Sequence, residues 1–290
     1  MERYVGDPAL AAPPPSDTAE IYDRIASGYM RWWAPVIAPA ALRLLDLVDE
    51  VVVARPRAVL VDVGAGTGTL TRGAVARWPG VRAIAVDASE GMLDVGRAEA
   101  RRTLPAAGLR RLRWMRGVAE QLPVPDRCAD VVVSSFTLQY LPSRIAALRE
   151  ASRVLRPGGA IAVVTWMAGD RPFEPWSMLT ALIRELDLER PADEGVHRSF
   201  RSLPSAAALV RRAGFGRVHA SEGVVEYQWS PDDFLAYAVQ CEERPLFQSL
   251  DPPTRTRLVG LWRTRLADLG PADLLIRDAV CYVTGRRPSS

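Results

Sequence analysis

The sequence predicts an α/β protein: a doubly wound, mostly parallel sheet of seven strands, with helices on both faces and a helical cap. Three observations predict it. Between residues 58 and 166, short runs that are apolar throughout alternate with helical patterns, which is how strands buried on both faces read. The first run leads into Gly64, Gly66 and Gly68 and then directly into a helix. Two late stretches, Val218–Trp229 and Leu275–Thr284, alternate like strands added to the same sheet.

Each element follows from its own pattern. Residues 1–17 are rich in Pro and Ala and predict a flexible arm. A helix starts at Thr18, with Asp17 or Thr18 as N-cap, and sets Ile21, Ile25, Tyr29, Trp32 and Trp33 on one face. Pro35 and Pro39 then predict a break or kink before a second helix, Ala40–Val53. Residues 18–57 are thus N-terminal helices covering the site.

The core, 58–166, reads as strand Ala58–Val63, helix Thr69–Trp78, strand Val81–Val86 ending at Asp87, and helix Ser89–Arg102 with Ser89 as N-cap. Strands Leu112–Arg116 and Ala129–Ser135, helix Ser143–Arg156 and strand Ala160–Trp166 complete it. Residues 167–290 supply the cap and the last two strands. Its helical stretches are Trp176–Leu188, Ser205–Ala213 and 232–268, the last divided at Pro252-Pro253.

Composition narrows the function classes. Of 290 residues, 48% are apolar and 24% charged, ordinary for a globular protein. A net charge of +3 from 37 basic and 34 acidic residues gives no footprint for nucleic acid. The sequence contains no lysine, which excludes a P-loop and Schiff-base chemistry. Cys128, Cys241 and Cys281 are far apart and odd in number, so neither a disulfide framework nor a metal site is expected. The N-terminus lacks a signal-peptide pattern, and no run approaches the ~18 apolar residues of a membrane span. A cytoplasmic setting is expected. The oligomeric state is not readable, and a homodimer stays open.

The chemistry-bearing motif is Val61-Asp62-Val63-Gly64-Ala65-Gly66-Thr67-Gly68. Glycine lets the chain turn sharply and lets a ligand approach the backbone. The helix behind it offers unpaired N–H groups and a positive dipole end. In a nicotinamide fingerprint, G-x-G-x-x-G, the third glycine comes one residue later. Asp87 ends the second strand, where a carboxylate can accept from both hydroxyls of a ribose.

At these residues the sequence resembles class I S-adenosylmethionine (SAM)-dependent methyltransferases, which are Rossmann-like. Within that family the resemblance is to the ubiquinone/menaquinone-biosynthesis-like, methyltransferase type 11 subgroup. VDVGAGTG resembles the family's first motif, and Val86-Asp87-Ala88-Ser89 with Met92 resembles the second. Gly117–Val124 followed by Ala129-Asp130-Val131-Val132 resembles an AExLPF…FDxV region, and Arg153–Gly159 an LxPGG turn.

The resemblance implies SAM as cofactor. It implies a pocket of Asp62, Gly64, Ala65, Gly66, Gly68, Asp87, Ala88, Met92, Ala119, Glu120, Ser135 and Phe136. Asp62 would organise the glycine loop, Asp87 would hold the ribose diol, and Met92 and Ala119 would meet the adenine. Tyr29 matches an aromatic that covers the site in relatives. The chain departs from the family at Val118, where Asp or Ser is common, and at Tyr140, near which relatives carry His.

Methyl transfer from a sulfonium is an in-line displacement, so the protein mainly aligns the reactants and excludes water. A base is needed only for a poorly nucleophilic acceptor. The candidate catalytic residues are His197, Tyr29 and Tyr140, with Tyr22 beside them; His219, in an alternating strand, reads as structural or exposed. Trp32, Trp33, Trp166 and Trp176 point to a small apolar or aromatic acceptor, with core packing as the alternative role. Two other readings stay open. One is a SAM-binding protein of this fold that does not methylate, such as a cyclase, decarboxylase or scaffold. The other is a nicotinamide-dependent oxidoreductase.

Overall fold

The computed structural model describes residues 17–169, 172–191 and 199–289. The sheet comprises β1 (Val59–Val63), β2 (Arg82–Asp87), β3 (Leu112–Arg116), β4 (Ala129–Ser135), β5 (Leu155–Trp166), β6 (Gly216–Gln228) and β7 (Leu275–Arg286). Their order is β3-β2-β1-β4-β5-β7-β6. β1 to β5 pair in parallel, while β7 runs antiparallel to both β5 and β6.

The helices in chain order are α1 (Asp17–Gly28), α2 (Ala34–Val53), α3 (Thr69–Arg77), α4 (Glu90–Thr103), α5 (Ala106–Leu109), α6 (Arg144–Val154), α7 (Glu174–Glu185), α8 (Leu203–Arg212), α9 (Pro231–Tyr237), α10 (Arg244–Ser249) and α11 (Pro252–Ala267).

Strand alternation distributes the core. On β4, Val131 and Val133 face one apolar layer and Val132 the other, because successive side chains leave a strand on opposite sides. The first layer is filled by α2 and α3. It continues into the cap through Phe234 and Trp262, which are fully buried. The second is filled by α6 and α8. The Trp262 indole N–H donates to the Pro175 carbonyl at 3.2 Å, tying α11 to α7.

The structure departs from the sequence reading at the N-terminal prolines. Pro35 stands in the first turn of α2 and Pro39 lies inside that helix, so the chain does not break. A π-helical turn, Tyr29–Trp33, precedes Pro35, and Ala34 N–H donates to the Tyr29 carbonyl. Proline cannot donate to the carbonyl four residues back, and its ring crowds it. A widened turn relieves that crowding and lets the helical run continue. A second π turn, Ala238–Glu242, extends α9.

β5 also begins earlier than the apolar run at Ala160. It carries Pro157-Gly158-Gly159 within it, and the pairing with β4 shifts register between Ala129 and Val131.

Candidate active site

The site lies beyond the C-terminal ends of β1 to β4, where the sheet order reverses between β1 and β4. Open α/β sheets bind ligands at such switch points. Gly64 and Ala65 N–H both donate to the Val86 carbonyl, at 2.8 and 3.0 Å. Gly64, Gly66 and Gly68 have φ of +68°, +54° and +78°, a region that disfavours side chains. The loop therefore turns tightly across the ends of β1 and β2.

Asp87 locks that loop from the next strand. Its Oδ2 accepts from Gly66 N–H at 2.7 Å and its Oδ1 from Ser89 N–H at 2.9 Å. Burial pushes its carboxyl above the ordinary carboxylate range, opposed by these backbone donors. Ser89 caps α4, its Oγ accepting from Met92 N–H at 3.0 Å. That hydroxyl donates in turn to Asp23 on α1 at 2.6 Å.

Asp62 is fully buried beneath the loop. Its Oδ2 accepts from Thr71 N–H at 3.1 Å and from Thr71 Oγ1 at 2.6 Å. It thereby serves the first turn of α3, whose own N-cap, Gly68, has no side chain to do so. Oδ1 has no partner. Desolvation, partly offset by Thr71, pushes its pKa to about 7.

Two cavities open here. The smaller, about 180 Å³, is lined by Gly64, Gly66, Asp87, Ala88, Met92, Ala119, Glu120, Ser135 and Phe136. These are nine of the twelve cofactor residues expected from the motifs. The other three differ. Asp62 lies beneath the loop and Ala65 within it, and neither lines the cavity. Gly68 does not line it either, because the space where its Cβ would stand is filled by the Trp114 ring. Glu120 lines the cavity and also accepts from Ser143 N–H at 3.3 Å. Phe136 holds φ of +51°, a strained backbone for an aromatic residue, and its ring lies 4.5 Å from that of Trp166.

The larger cavity, about 1360 Å³, lies between the sheet edge and the cap, with Trp33, Trp166, Trp176, Phe234 and Tyr237 in its wall. Trp32 is not part of it; its indole N–H donates to Gln240 Oε1 at 3.2 Å. Tyr22, Tyr29 and Tyr140 line both cavities. Tyr22 meets Tyr29 and Tyr140 edge to face, with centroids 5.9 and 5.7 Å apart. Burial raises all three hydroxyl pKa values, so Tyr29 and Tyr140 are suited to donating hydrogen bonds rather than to taking a proton near neutral pH. His219 is exposed on β6. His197 lies outside the described residues.

Sequence reasoning missed Asp23, Thr137, Trp114, Tyr237 and Glu242. Only Asp23 carried a local signal, since it lies on the predicted helix that carries Tyr29.

Comparison with known proteins agrees with this geometry. A model of the "Methyltransferase domain" family matches residues 61–163. The ubiquinone/menaquinone biosynthesis C-methyltransferase UbiE of Cereibacter sphaeroides is 31% identical over 183 residues, 60% of this chain and 72% of that protein. The chain belongs to the class I SAM-dependent methyltransferase family.

A malonyl-[acyl-carrier protein] O-methyltransferase of Serratia marcescens is 36% identical over 151 residues, 50% of this chain and 53% of that protein. Among solved structures, the [4+2]-cyclase SpnF covers 97% of this chain and 99% of its own at a TM-score of 0.58 and 20% identity, a likeness of fold. The methyltransferase uses SAM as methyl donor and acts on a small molecule. No helix among the described residues is long and apolar enough to cross a membrane.

Proposed function

We propose that the smaller cavity seats the donor and the larger one a small, flat, apolar or aromatic acceptor. The carrying observation is the shared wall: Tyr22, Tyr29 and Tyr140 border both spaces, so ligands in the two meet at one place.

The residues present fit the donor. Asp87 is placed to accept from ribose hydroxyls, and Met92 and Ala119 offer apolar surface to a purine. Ser135 and Phe136 line the smaller cavity, and the Phe136 ring meets Trp166 in the wall of the larger one. The unpartnered Asp62 Oδ1 leaves a buried acceptor for an amino group or a bridging water, since an orphaned buried acceptor costs about 1–3 kcal/mol. When bound, SAM supplies an activated methyl group. The chain's own work is then to orient the acceptor and exclude water.

An aromatic acceptor is supported by the wall of the larger cavity. Trp33 stacks on Tyr237 at 5.1 Å, and Tyr237 on Trp229 at 5.2 Å. Small-ligand cavities are typically apolar with a few fixed polar groups. A cytoplasmic setting without a nucleic-acid partner is supported by the small net charge and three free cysteines. The test is incubation with SAM and a panel of ring compounds, read by mass spectrometry. A gain of one methylene mass on ring hydroxyl or ring carbon acceptors supports the assignment, and turnover only on aliphatic acceptors contradicts it.

A further inference from the structure

The cap contributes a pair of polar residues to the acceptor cavity that no motif covers. Tyr237 ends α9, and Glu242 ends the π turn that follows it. The Tyr237 hydroxyl donates to Glu242 Oε2 at 3.0 Å. Both side chains line the larger cavity. Tyr237 is buried and clamped between the Trp33 and Trp229 rings, so its hydroxyl is fixed in direction. Glu242 itself is exposed toward the open cavity. Among the described residues, Tyr237 is the one hydrogen-bond donor to its carboxylate, which leaves Oε1 for a ligand.

The pair also stands near the wall shared with the donor cavity. Burial raises the hydroxyl pKa of Tyr22 and of Tyr140, which border the two spaces, and the charge of Glu242 adds a smaller push in the same direction. The π turn holding Glu242 packs directly on α1. There Gly28 is required because a Cβ would stand 2.6 Å from Cys241 Sγ. The tyrosines around it are held neutral by burial, so none of them takes a proton near neutral pH.

We propose that Glu242 is the catalytic residue that receives the acceptor's proton, with Tyr237 as its positioning residue, and that the acceptor is a ring compound presenting a hydroxyl. This deepens the acceptor assignment above and rests on it. As the acceptor oxygen forms its bond to the transferred methyl carbon, its O–H bond breaks and the proton passes to Glu242 Oε1. The electrons of the methyl–sulfur bond stay on the donor's sulfur, which leaves as the neutral thioether. Glu242 ends as the neutral acid.

A hydroxyl suits this site better than an amine. A carboxylate beside an ammonium favours the charged form and holds the proton on nitrogen. The same carboxylate beside a hydroxyl accepts its hydrogen bond and raises the nucleophilicity of the oxygen. Glu242, set beside the Tyr237 ring in a wall that also carries Glu174, Asp273 and Asp278, therefore selects for an acidic hydroxyl.

The test is equilibrium binding to the full-length protein, read by quenching of tryptophan fluorescence, with S-adenosylhomocysteine (SAH) present. The probes are 2-naphthol, 2-methoxynaphthalene and 2-naphthylmethylamine. The expected result is that 2-naphthol binds about fivefold or more tighter than the methyl ether, in the range of ~1 kcal/mol. Glu242→Gln should reduce that preference below about twofold. Tyr237→Phe should lower it part-way while leaving 2-methoxynaphthalene binding unchanged, which a merely structural role would not do.

An unchanged preference in Glu242→Gln overturns the proposal. So does tighter, Glu242-dependent binding of the ammonium probe, which would make the site a cation receptor. SAH binding, measured separately by calorimetry, should be the same in wild type and Glu242→Gln. Its absence from wild type would instead remove the donor assignment beneath the proposal.

Discussion

Asp23 on α1 accepts the hydroxyl hydrogen bond of Ser89 at 2.6 Å, and the same oxygen accepts from Gly91 N–H at 2.8 Å. One carboxylate thus ties the first helix to the N-terminus of α4, where negative charge is favoured. Thr18, Ala19 and Tyr22 of α1 line the smaller cavity, so the clasp fixes the covering helix over the donor. Asp23→Ala should weaken SAH binding by about fivefold to tenfold, or ~1 kcal/mol. Asp23 is exposed, so thermal stability should fall only slightly. Calorimetry and a melting curve on one preparation check this, and an unchanged SAH affinity would show that α1 stays in place without the clasp.

The three loop glycines should separate by the observable they affect. At Gly64 a Cβ would overlap Thr137, and at Gly68 it would overlap the Trp114 ring. Both positions also have positive φ, which costs a side chain roughly 1–2 kcal/mol before any clash. Alanine at either should lower folding stability by more than ~2 kcal/mol. At Gly66 the nearest atom is the flexible Met92 Cε at 3.3 Å. Gly66→Ala, which carries the positive-φ cost but no backbone or ring clash, should therefore fold at a cost of roughly 1–2 kcal/mol and lose donor affinity instead. Urea unfolding beside SAH titration distinguishes the two classes.

Asp62 predicts a slope in the stability-versus-pH curve. Its pKa is pushed by burial to about 7, against roughly 4 in an unfolded chain. Between those values the native state holds the proton more tightly than the unfolded state. Stability therefore falls as pH rises through that window and levels off above about pH 7. Asp62→Asn keeps an acceptor for Thr71 and removes the titration. The difference in urea midpoint between variant and wild type should shift in favour of the variant from pH 4.5 to 7.5, and a constant difference would contradict the shifted pKa.

The cap shares its apolar layer with the sheet, so it should not unfold separately. Trp262 is fully buried and ring-packed against Phe247, Trp176 and Phe234. Trp262→Ala should cost about 3–5 kcal/mol and shift a single transition, seen alike by circular dichroism and fluorescence. Two separated transitions in the wild type would mean that cap and core are independent units.

β1 and β4 were readable because nearly every residue in them is buried, whereas β3, an edge strand with no buried residue, was bounded by Gly117. Leu112–Arg116 and Ala129–Ser135 keep the limits that their residues set, and Ser89 caps α4 as its position implies. Pro35 and Pro39 misled because the π turn before them is a backbone adjustment with no side-chain signature. Gly68 is spaced like a ligand glycine, and Trp114, distant in sequence, adds a packing demand for glycine that the spacing does not show. Tyr237 and Glu242 reach the site only through the packing of α9 on the π turn after α1, a tertiary contact that no local pattern encodes.

The central claim is that the glycine loop and Asp87 hold SAM. Calorimetric titration of the purified protein with SAM, SAH and NADH, repeated on Asp87→Ala and Asp87→Asn, tests it most directly. The account predicts micromolar binding of SAM and SAH and none of NADH. It also predicts a loss of at least about tenfold in both variants, ~1.4 kcal/mol or more, the amide keeping one acceptor for the loop. A folded wild-type protein that binds neither SAM nor SAH, or an Asp87→Ala variant that binds them undiminished, would contradict it.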